Sequence, residues 1–408
     1  MKIAFIHPSW PGSEGTGATH SATQVAKGLA ERGNEVHVFC TEPIDNVSTT
    51  EENMTLKYLP AEGRLHHYQY NLKLNHTLKE RASEFDKYDI VHSYLTILIP
   101  GLEAIGKRTS ASTVATLNAY GGVCPKNDLY YLDEQQCKSA SFAKCTSCIA
   151  QTSDNTDENP IRLTASRLAN LKLVMEGKRN LDHLDAFRAP SGHVRENYVR
   201  HEFPEDKIQV IPHPLNSDFL VDHRSEFTEP YRLLYVGFLK QKKGVEELIP
   251  IVTRLRELTD AQFTLSIVGK GPSEKRMREQ TQQLGVEDIV EFRGFMSNEE
   301  LPNIYANHDL FVYPSLWEEP LGRVYIESLA TGTPIVSSAY GSIEEIIGDG
   351  GVAVHGGPDS FAHEISSLFS GRTLKEMSAA AICEAQKFRR EAVVNRIEKM
   401  YEQIVIDE

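Results

Sequence analysis

Short apolar runs recur along the chain at regular intervals. Lys2–His7, Glu35–Cys40, Tyr88–His92, Ser112–Leu117 and Leu184–Ala189 read as strands. The series resumes at Lys207–Ile211, Arg232–Val236, Phe263–Val268, Asp309–Tyr313 and Pro334–Ser338. Between them apolar residues fall at helical spacing, as in Thr23–Glu31 and Glu274–Leu284. Near-continuous apolar strands alternating with amphipathic helices predict parallel sheets covered on both faces, here two doubly wound α/β units in tandem. Prolines at 204, 212 and 214 interrupt the series, and the division is placed there, with domains over 1–205 and 206–384. A polar helix with a thin apolar stripe comes last, about Leu374–Ile406. The segment Asn118–Asn159 breaks the pattern: it has little periodicity, many polar residues and four cysteines. A structureless loop of that length in a compact domain requires some other source of order.

Length and composition agree with this organisation. At 408 residues, 40% hydrophobic and 25% charged, the chain suits two globular domains. A net charge of −14 speaks against nucleic acid as a partner, which rewards clustered positive charge. The N-terminal apolar run is short and ends at Pro8, as in a buried strand rather than a signal peptide. The stretch from Leu95 to Ile105 is too short and broken to cross a membrane. The protein is therefore expected to be cytoplasmic, with its six cysteines reduced.

Two places carry candidate ligand chemistry. Gly12, Gly15 and Gly17 come after the first strand, where glycine lets backbone approach a ligand and a helix start favours an anion. The spacing is not that of a dinucleotide fingerprint and no acid ends the second strand, which argues against a dinucleotide oxidoreductase. A turn with no ligand is an equal reading of these glycines. The second place is Pro314–Pro334, between two apolar strands. Pro320 suits the first turn of a helix, Gly332 and Pro334 its end, and Gly322 would open the helix N-terminus to a diphosphate. Glu319 stands before that turn and Glu327 further in; carboxylates there can accept from sugar and ribose hydroxyls. Taken singly, either glutamate is better read as decoration of a solvated helix start.

Together these residues resemble a known family. Glu-Pro-Leu-Gly-x-x-x-x-Glu at 319–327, then Ser-Leu-Ala-x-Gly-x-Pro, is similar to the acidic motif of retaining GT-B glycosyltransferases of family four, glycosyl transferases group 1. Ile3–Pro8 with its glycine loop, Val25–Val38, Ala189–Tyr198, Lys207–Pro212, Leu234–Gly244, Ile267–Pro272 and Val290–Phe295 fall in that family's order. The resemblance implies two Rossmann-like domains facing each other across a cleft, with the last helix, about 385–408, packing back on the first. It implies a nucleoside-diphosphate sugar, UDP- or GDP-linked, held mainly by the second domain. The base would lie near Gly294, Phe295 and Met296, Glu327 would hold the ribose, and Leu321, Gly322 and Arg323 the diphosphate. Gly237, Gly15 and Gly17 join the donor-binding set. Glu319 would meet the transferred sugar, and Lys243 would neutralise the leaving group. Two positions depart from the family: Phe238 stands where an Arg is usual, and Asn118 where a His contacts sugar on the acceptor side. Arg323 is the favoured substitute for the missing Arg, with Lys240 and Lys242 as the alternatives. The implied activity is transfer of a hexose-type sugar to a hydroxyl acceptor, a glycan, lipid-linked glycan or small molecule, without a catalytic cofactor. A nucleotide-sugar epimerase or hydrolase, and a catalytically silent binding module, are the competing readings.

The cysteine segment stands outside that resemblance. Cys124-x12-Cys137-x7-Cys145-x2-Cys148 puts four thiols within 25 residues and suits a tetrahedral Zn²⁺. A redox pair at Cys145 and Cys148, or four unrelated cysteines, are the alternatives; a structural zinc is preferred because it would order the loop. Cys40 and Cys383 are expected in the core. A basic run, Arg162, Arg167, Lys172, Lys178 and Arg179, lies on an amphipathic stretch. It could rest on an anionic membrane surface, but a solvated helix face is the preferred reading.

Overall fold

The computed structural model describes residues 1–7, 10, 17–41, 52–61, 69–132, 135–152, 159–179, 181–222 and 226–406. It divides into two compact units, Met1–Pro214 with Arg390–Glu408, and Leu215–Arg389.

The first unit contains β1 (Lys2–His7), β2 (Glu35–Cys40), β3 (Met54–Tyr58), β4 (Ile90–Ser93), β5 (Ser112–Thr116), β6 (Tyr130–Tyr131), β7 (Gln135–Gln136), β8 (Ala186–Ala189) and β9 (Ile208–Val210). Seven of these form one parallel sheet in the order β3-β2-β1-β4-β5-β8-β9, and β6 and β7 pair separately as an antiparallel hairpin. Ile3, Ala4, Phe5 and Ile6 are all fully buried, as a strand covered on both faces requires.

The helix Arg390–Ile406 completes this unit. Val393, Val394, Ile397, Met400 and Tyr401 join the core that contains Val25 and Leu29 of the helix Gly17–Glu31. Close packing of the two helices needs glycine at 28, where a Cβ would lie 2.6 Å from Val394 Cγ2. Tyr401 Oη meets His92 Nδ1 at 2.5 Å, and the other ring nitrogen meets Thr116 Oγ1 at 2.6 Å. Burial, reinforced by the charge of Arg188, holds the His92 imidazole well below its ordinary pKa, so it sits there neutral.

The second unit contains β10 (Tyr231–Val236), β11 (Phe263–Val268), β12 (Val290–Gly294), β13 (Leu310–Tyr313), β14 (Ile335–Ser338) and β15 (Gly351–Val354). They form a parallel sheet in the order β12-β11-β10-β13-β14-β15. Both units are thus doubly wound and Rossmann-like.

Several expectations need correction. The first unit runs to Pro214 rather than 205, because β9 pairs with β8. Buried Arg188 anchors the chain just beyond β9: its Nε donates to Ile211 O at 3.0 Å and its Nη2 to Pro212 O. The prolines mark the end of a tethered segment rather than a loose linker. The final helix is two, Gly371–Ala385 and Arg390–Ile406, separated by a 3-10 turn at Gln386–Phe388. β3, β12 and β15 were not anticipated as strands; each is a sheet edge with partly exposed residues, and the apolar signal is weak there. The cysteine segment contains the β6–β7 hairpin and a helix, Phe142–Gln151, capped by Ser141 through a bond from Lys144 N. Cys383 is exposed, whereas Cys40 is buried as expected. In the basic run, Arg167 is buried and donates to Thr152 O at 3.3 Å, so it does not belong to a solvated face. Among the described residues no helix is long and apolar enough to cross a membrane.

Candidate functional site

In the second unit the chain winds from β10 through β11 to β12 on one side, and from β13 through β14 to β15 on the other. The winding reverses between β10 and β13, and in open parallel sheets ligands bind at the carboxyl ends of the strands at such a point. The loop after β10 carries Gly237 to Gly244, and the loop after β13 carries Pro314 to Gly322. They are locked together. Gly244 sits at φ +65°, and a Cβ there would lie 1.6 Å from Pro314 O. Leu316 N donates to Lys242 O at 3.1 Å.

This junction brings Lys243 onto Glu319. Lys243 Nζ donates to Glu319 Oε1, and Tyr313 Oη donates to the same oxygen at 3.3 Å. Tyr313 and Tyr235 stack with ring centroids 5.4 Å apart, and Tyr325 meets Tyr313 edge-on at the same distance. Burial, with the nearby Glu319 charge, keeps the Tyr313 phenol well above its ordinary pKa, so it remains a donor. The backbone of Glu319 is held from the loop after β14: Ser342 Oγ donates to Glu319 O at 3.1 Å. Gly341, at φ +72°, leaves room that a Cβ would fill within 2.7 Å of Glu319 N and O.

Gly322 forms the start of the next helix. It lies at φ +67° and precedes Arg323–Ala330, whose first turn has no side-chain cap. The helix therefore begins at Arg323, not at Pro320. Its uncapped N–H groups suit an anion. Glu327 lies one turn in, and Arg323 Nη2 pairs with its Oε1 at 3.1 Å. Burial raises the Glu327 carboxyl above the ordinary range and Arg323 pulls it back. Glu319 and Glu327 are only 5% and 7% exposed, which overturns the reading of both as solvated decoration.

The other donor-side residues are spread over several strand ends. Gly237 directly follows β10, where a Cβ would lie 2.8 Å from Tyr235 Oη, and Leu321 is buried beside Gly322. Gly294 ends β12 at φ +70° with open space around it, next to exposed Phe295 and half-buried Met296. Phe238 is 53% exposed, with Lys240 Nζ 5.3 Å from its ring. Gly17 opens the helix Gly17–Glu31 in the first unit, while Gly12 and Gly15 lie outside the described residues. Asn118 lies just after β5. Its Nδ2 donates to Tyr94 O at 2.6 Å, and its shielded Oδ1 has no protein partner among the described residues. Sequence reasoning missed Tyr313, Ser342 and Trp317. The ring of Trp317 has Lys242 Nζ and Lys243 Nζ each 4.6 Å from its centroid, and a tryptophan within a polar turn was the available signal.

Residues 15–219 match Glycosyltransferase Family 4, and residues 218–388 match Glycosyl transferases group 1. The chain belongs to glycosyltransferase family 4. An uncharacterized glycosyltransferase of Methanocaldococcus jannaschii is 33% identical over 188 residues, 42% of this chain and 47% of that protein. The alpha-D-kanosaminyltransferase of Streptomyces kanamyceticus is 31% identical over 220 residues, 50% of this chain and 56% of that protein. The chain thus spans about half the length of the curated relatives it matches. Sucrose-phosphate synthase from Thermosynechococcus elongatus superposes with a TM-score of 0.73 at 19% identity, covering 100% of both chains. Anabaena HepE, solved in complex with UDP and glucose, does so at 0.67 and 16%, covering 98% of both. These likenesses establish the GT-B fold.

The four clustered cysteines of the first unit line one small cavity of about 20 Å³, together with Lys126, Lys144, Tyr130 and Tyr131. None is in a disulfide. Among the described residues no group of three or more His, Cys, Asp or Glu is arranged to hold a metal ion. Burial and the Asp128 carboxylate push the Cys124 thiol up to about 12, and burial raises Cys145 as well. A Cys145 thiol raised in this way is a poorer nucleophile, which weighs against its acting as a redox thiol.

Proposed function

We propose that the protein is a retaining glycosyltransferase that moves a hexose-type sugar from a UDP- or GDP-linked donor to a hydroxyl acceptor. The observation that carries this reading is the pairing of Lys243 with buried Glu319 beside the uncapped helix start at Gly322. A diphosphate at that helix start would be met by the N–H groups around Leu321–Arg323, with the Lys243 ammonium within reach of its leaving oxygen. Positive charge placed where negative charge develops lowers the barrier without a metal. Glu319 then accepts from hydroxyls of the transferred sugar, and Glu327 from ribose hydroxyls, with Arg323 fixing its carboxylate. Gly294, Phe295 and Met296 take the base. Asn118 serves the acceptor side, where its unpartnered Oδ1 can accept from a hydroxyl.

The test is a panel of nucleotide sugars with and without hydroxyl acceptors, with nucleotide release as the readout. Release that depends on the acceptor supports a transferase, release without one a hydrolase, and binding without release a silent module. The anomeric proton coupling of the product tests retention. Full activity in a mild chelator is expected, and loss restored by a divalent cation counts against metal-independent transfer. In calorimetry with the nucleoside diphosphate, Glu327→Ala should weaken binding while Glu319→Ala leaves it nearly intact and depresses turnover. Equal losses in both would sink the assignment.

A further inference from the structure

In the segment between β5 and the helix Pro160–Gly177, Tyr120, Val123 and Leu129 are fully buried, but the part around the cysteines has little to hold it among the described residues. Its hairpin contains two residues per strand, far below what is stable alone. Its apolar filling is a small cluster of Cys145, Ile149 and Leu171 with Ala140 and Met175. Yet its backbone adopts conformations that cost energy. Asn127, Leu129 and Leu132 have φ of +64°, +54° and +55°, and a leucine has no intrinsic reason to be there.

One of these conformations coincides with an N–H group aimed at sulfur. Leu132 N donates to Cys148 Sγ at 3.4 Å. Cys137 is held against the same turn by its own N–H, which donates to Leu129 O at 2.6 Å. A neutral thiol is a weak acceptor and gains little from such a donor, whereas a metal-bound thiolate is stabilised by it. All four cysteines line one cavity of about 20 Å³, room for one small species. Lys126 and Lys144 line the same space and can offset the excess negative charge of a tetrathiolate.

We propose that Cys124, Cys137, Cys145 and Cys148 bind one structural Zn²⁺ in the cavity they line. Soft thiolates select zinc over calcium or magnesium, and four of them close its coordination sphere. As protonated thiols, two of them are turned to other partners: Cys124 Sγ donates to Asp128 Oδ1 at 3.8 Å and Cys137 Sγ to Ser139 O at 3.2 Å. Binding releases four protons, frees those contacts and turns the sulfurs inward. The ion orders the segment between β5 and the helix Pro160–Gly177.

The experiment uses the full chain, expressed in minimal medium without added metal. Elemental analysis should find about one zinc per chain, and a thiol reagent should find these four cysteines protected until a chelator is added under denaturing conditions. Cobalt exchanged for the zinc should give the strong visible bands and sulfur-to-metal charge transfer of a tetrahedral tetrathiolate. A C145S/C148S variant should lose the zinc, while C383S, at an exposed position remote in sequence, should keep it. The cobalt spectrum of the unmutated chain remains decisive if the double variant fails to fold. Four freely reactive thiols with no metal, fewer free thiols with no metal, zinc retained by a folded double variant, or cobalt bands lacking sulfur character would each overturn the proposal.

Discussion

Replacing Lys243 with Met should damage stability and turnover by separable amounts. The substitution keeps the aliphatic stem beside Trp317 and removes the charge. Glu319 is left in place with its side chain 7% exposed, while the lysine itself was 19% exposed. Removing one partner from a fully buried ion pair costs about 3–5 kcal/mol, because the other charge remains buried. Here the lysine keeps some water contact and the Tyr313 hydroxyl stays at 3.3 Å, so the expected loss is about 2 kcal/mol. For a unit of this size that lowers Tm by roughly 4–8 °C. Turnover should fall about 10²-fold, equivalent to roughly 2.7 kcal/mol of transition-state stabilisation. The double variant K243M/E319Q carries no uncompensated buried charge, and its stability loss should be smaller than the sum of the two singles by about 1 kcal/mol or more. Thermal denaturation and nucleotide-release kinetics at saturating donor read both quantities. A folded K243M protein with wild-type Tm and turnover within about threefold of wild type would refute the assignment of Lys243.

The geometry predicts three further outcomes. Gly322→Ala forces a left-handed backbone on alanine and sets its Cβ 2.5 Å from the Tyr325 ring, so stability should fall by about 1–2 kcal/mol and nucleotide affinity with it; unchanged calorimetric affinity would count against the helix start as the diphosphate site. Because burial raises the Glu327 carboxyl above 4.5, the native protein binds that proton more readily than the unfolded chain. Wild-type stability should therefore decline relative to E327Q as pH rises from about 4.5 through the raised native value, and a Tm difference that does not vary with pH would contradict it. His92 shows the opposite sign: with its native value held well below 6.5, the first unit should lose stability as pH falls below about 6.5, and His92→Gln should flatten that dependence in acid melts.

The sheets were legible because a strand covered on both faces leaves a nearly unbroken apolar run. β1, β2 and β11 fall where those runs stand, and the edge strands β3, β12 and β15 escape because they stay partly wet. The spacing of Glu319 and Glu327 placed both carboxylates, and the alignment of Lys243 placed the cation. What sequence could not supply was burial and pairing. Nothing in the Glu-Pro-Leu-Gly stretch says that Glu319 is shielded by a tyrosine from the preceding strand and a serine from a later loop, contacts made only once three separate loops converge. Arg323 illustrates the same limit. Its place beside Gly322 suggested a cation awaiting phosphate, whereas four residues of helix bring it onto Glu327. The proline cluster marked the division, which falls at Pro214, but not what tethers the chain there: the tether is Arg188, a charged residue in a strand, and its partners are Ile211 and Pro212.

The return of Arg390–Ile406 to the first unit has a consequence during synthesis. A ribosome delivers the chain in order, so Met1–Pro214 emerges early but lacks the helix that supplies Val394, Ile397, Met400 and Tyr401 to its core. Leu215–Arg389 is continuous and can close as soon as it clears the exit tunnel. The unit that starts first therefore finishes last. Without that helix it exposes the surface around Gly28 and leaves His92 without the Tyr401 hydroxyl, and a released chain truncated before residue 390 should recruit holdase chaperones there while its second unit is protease-resistant.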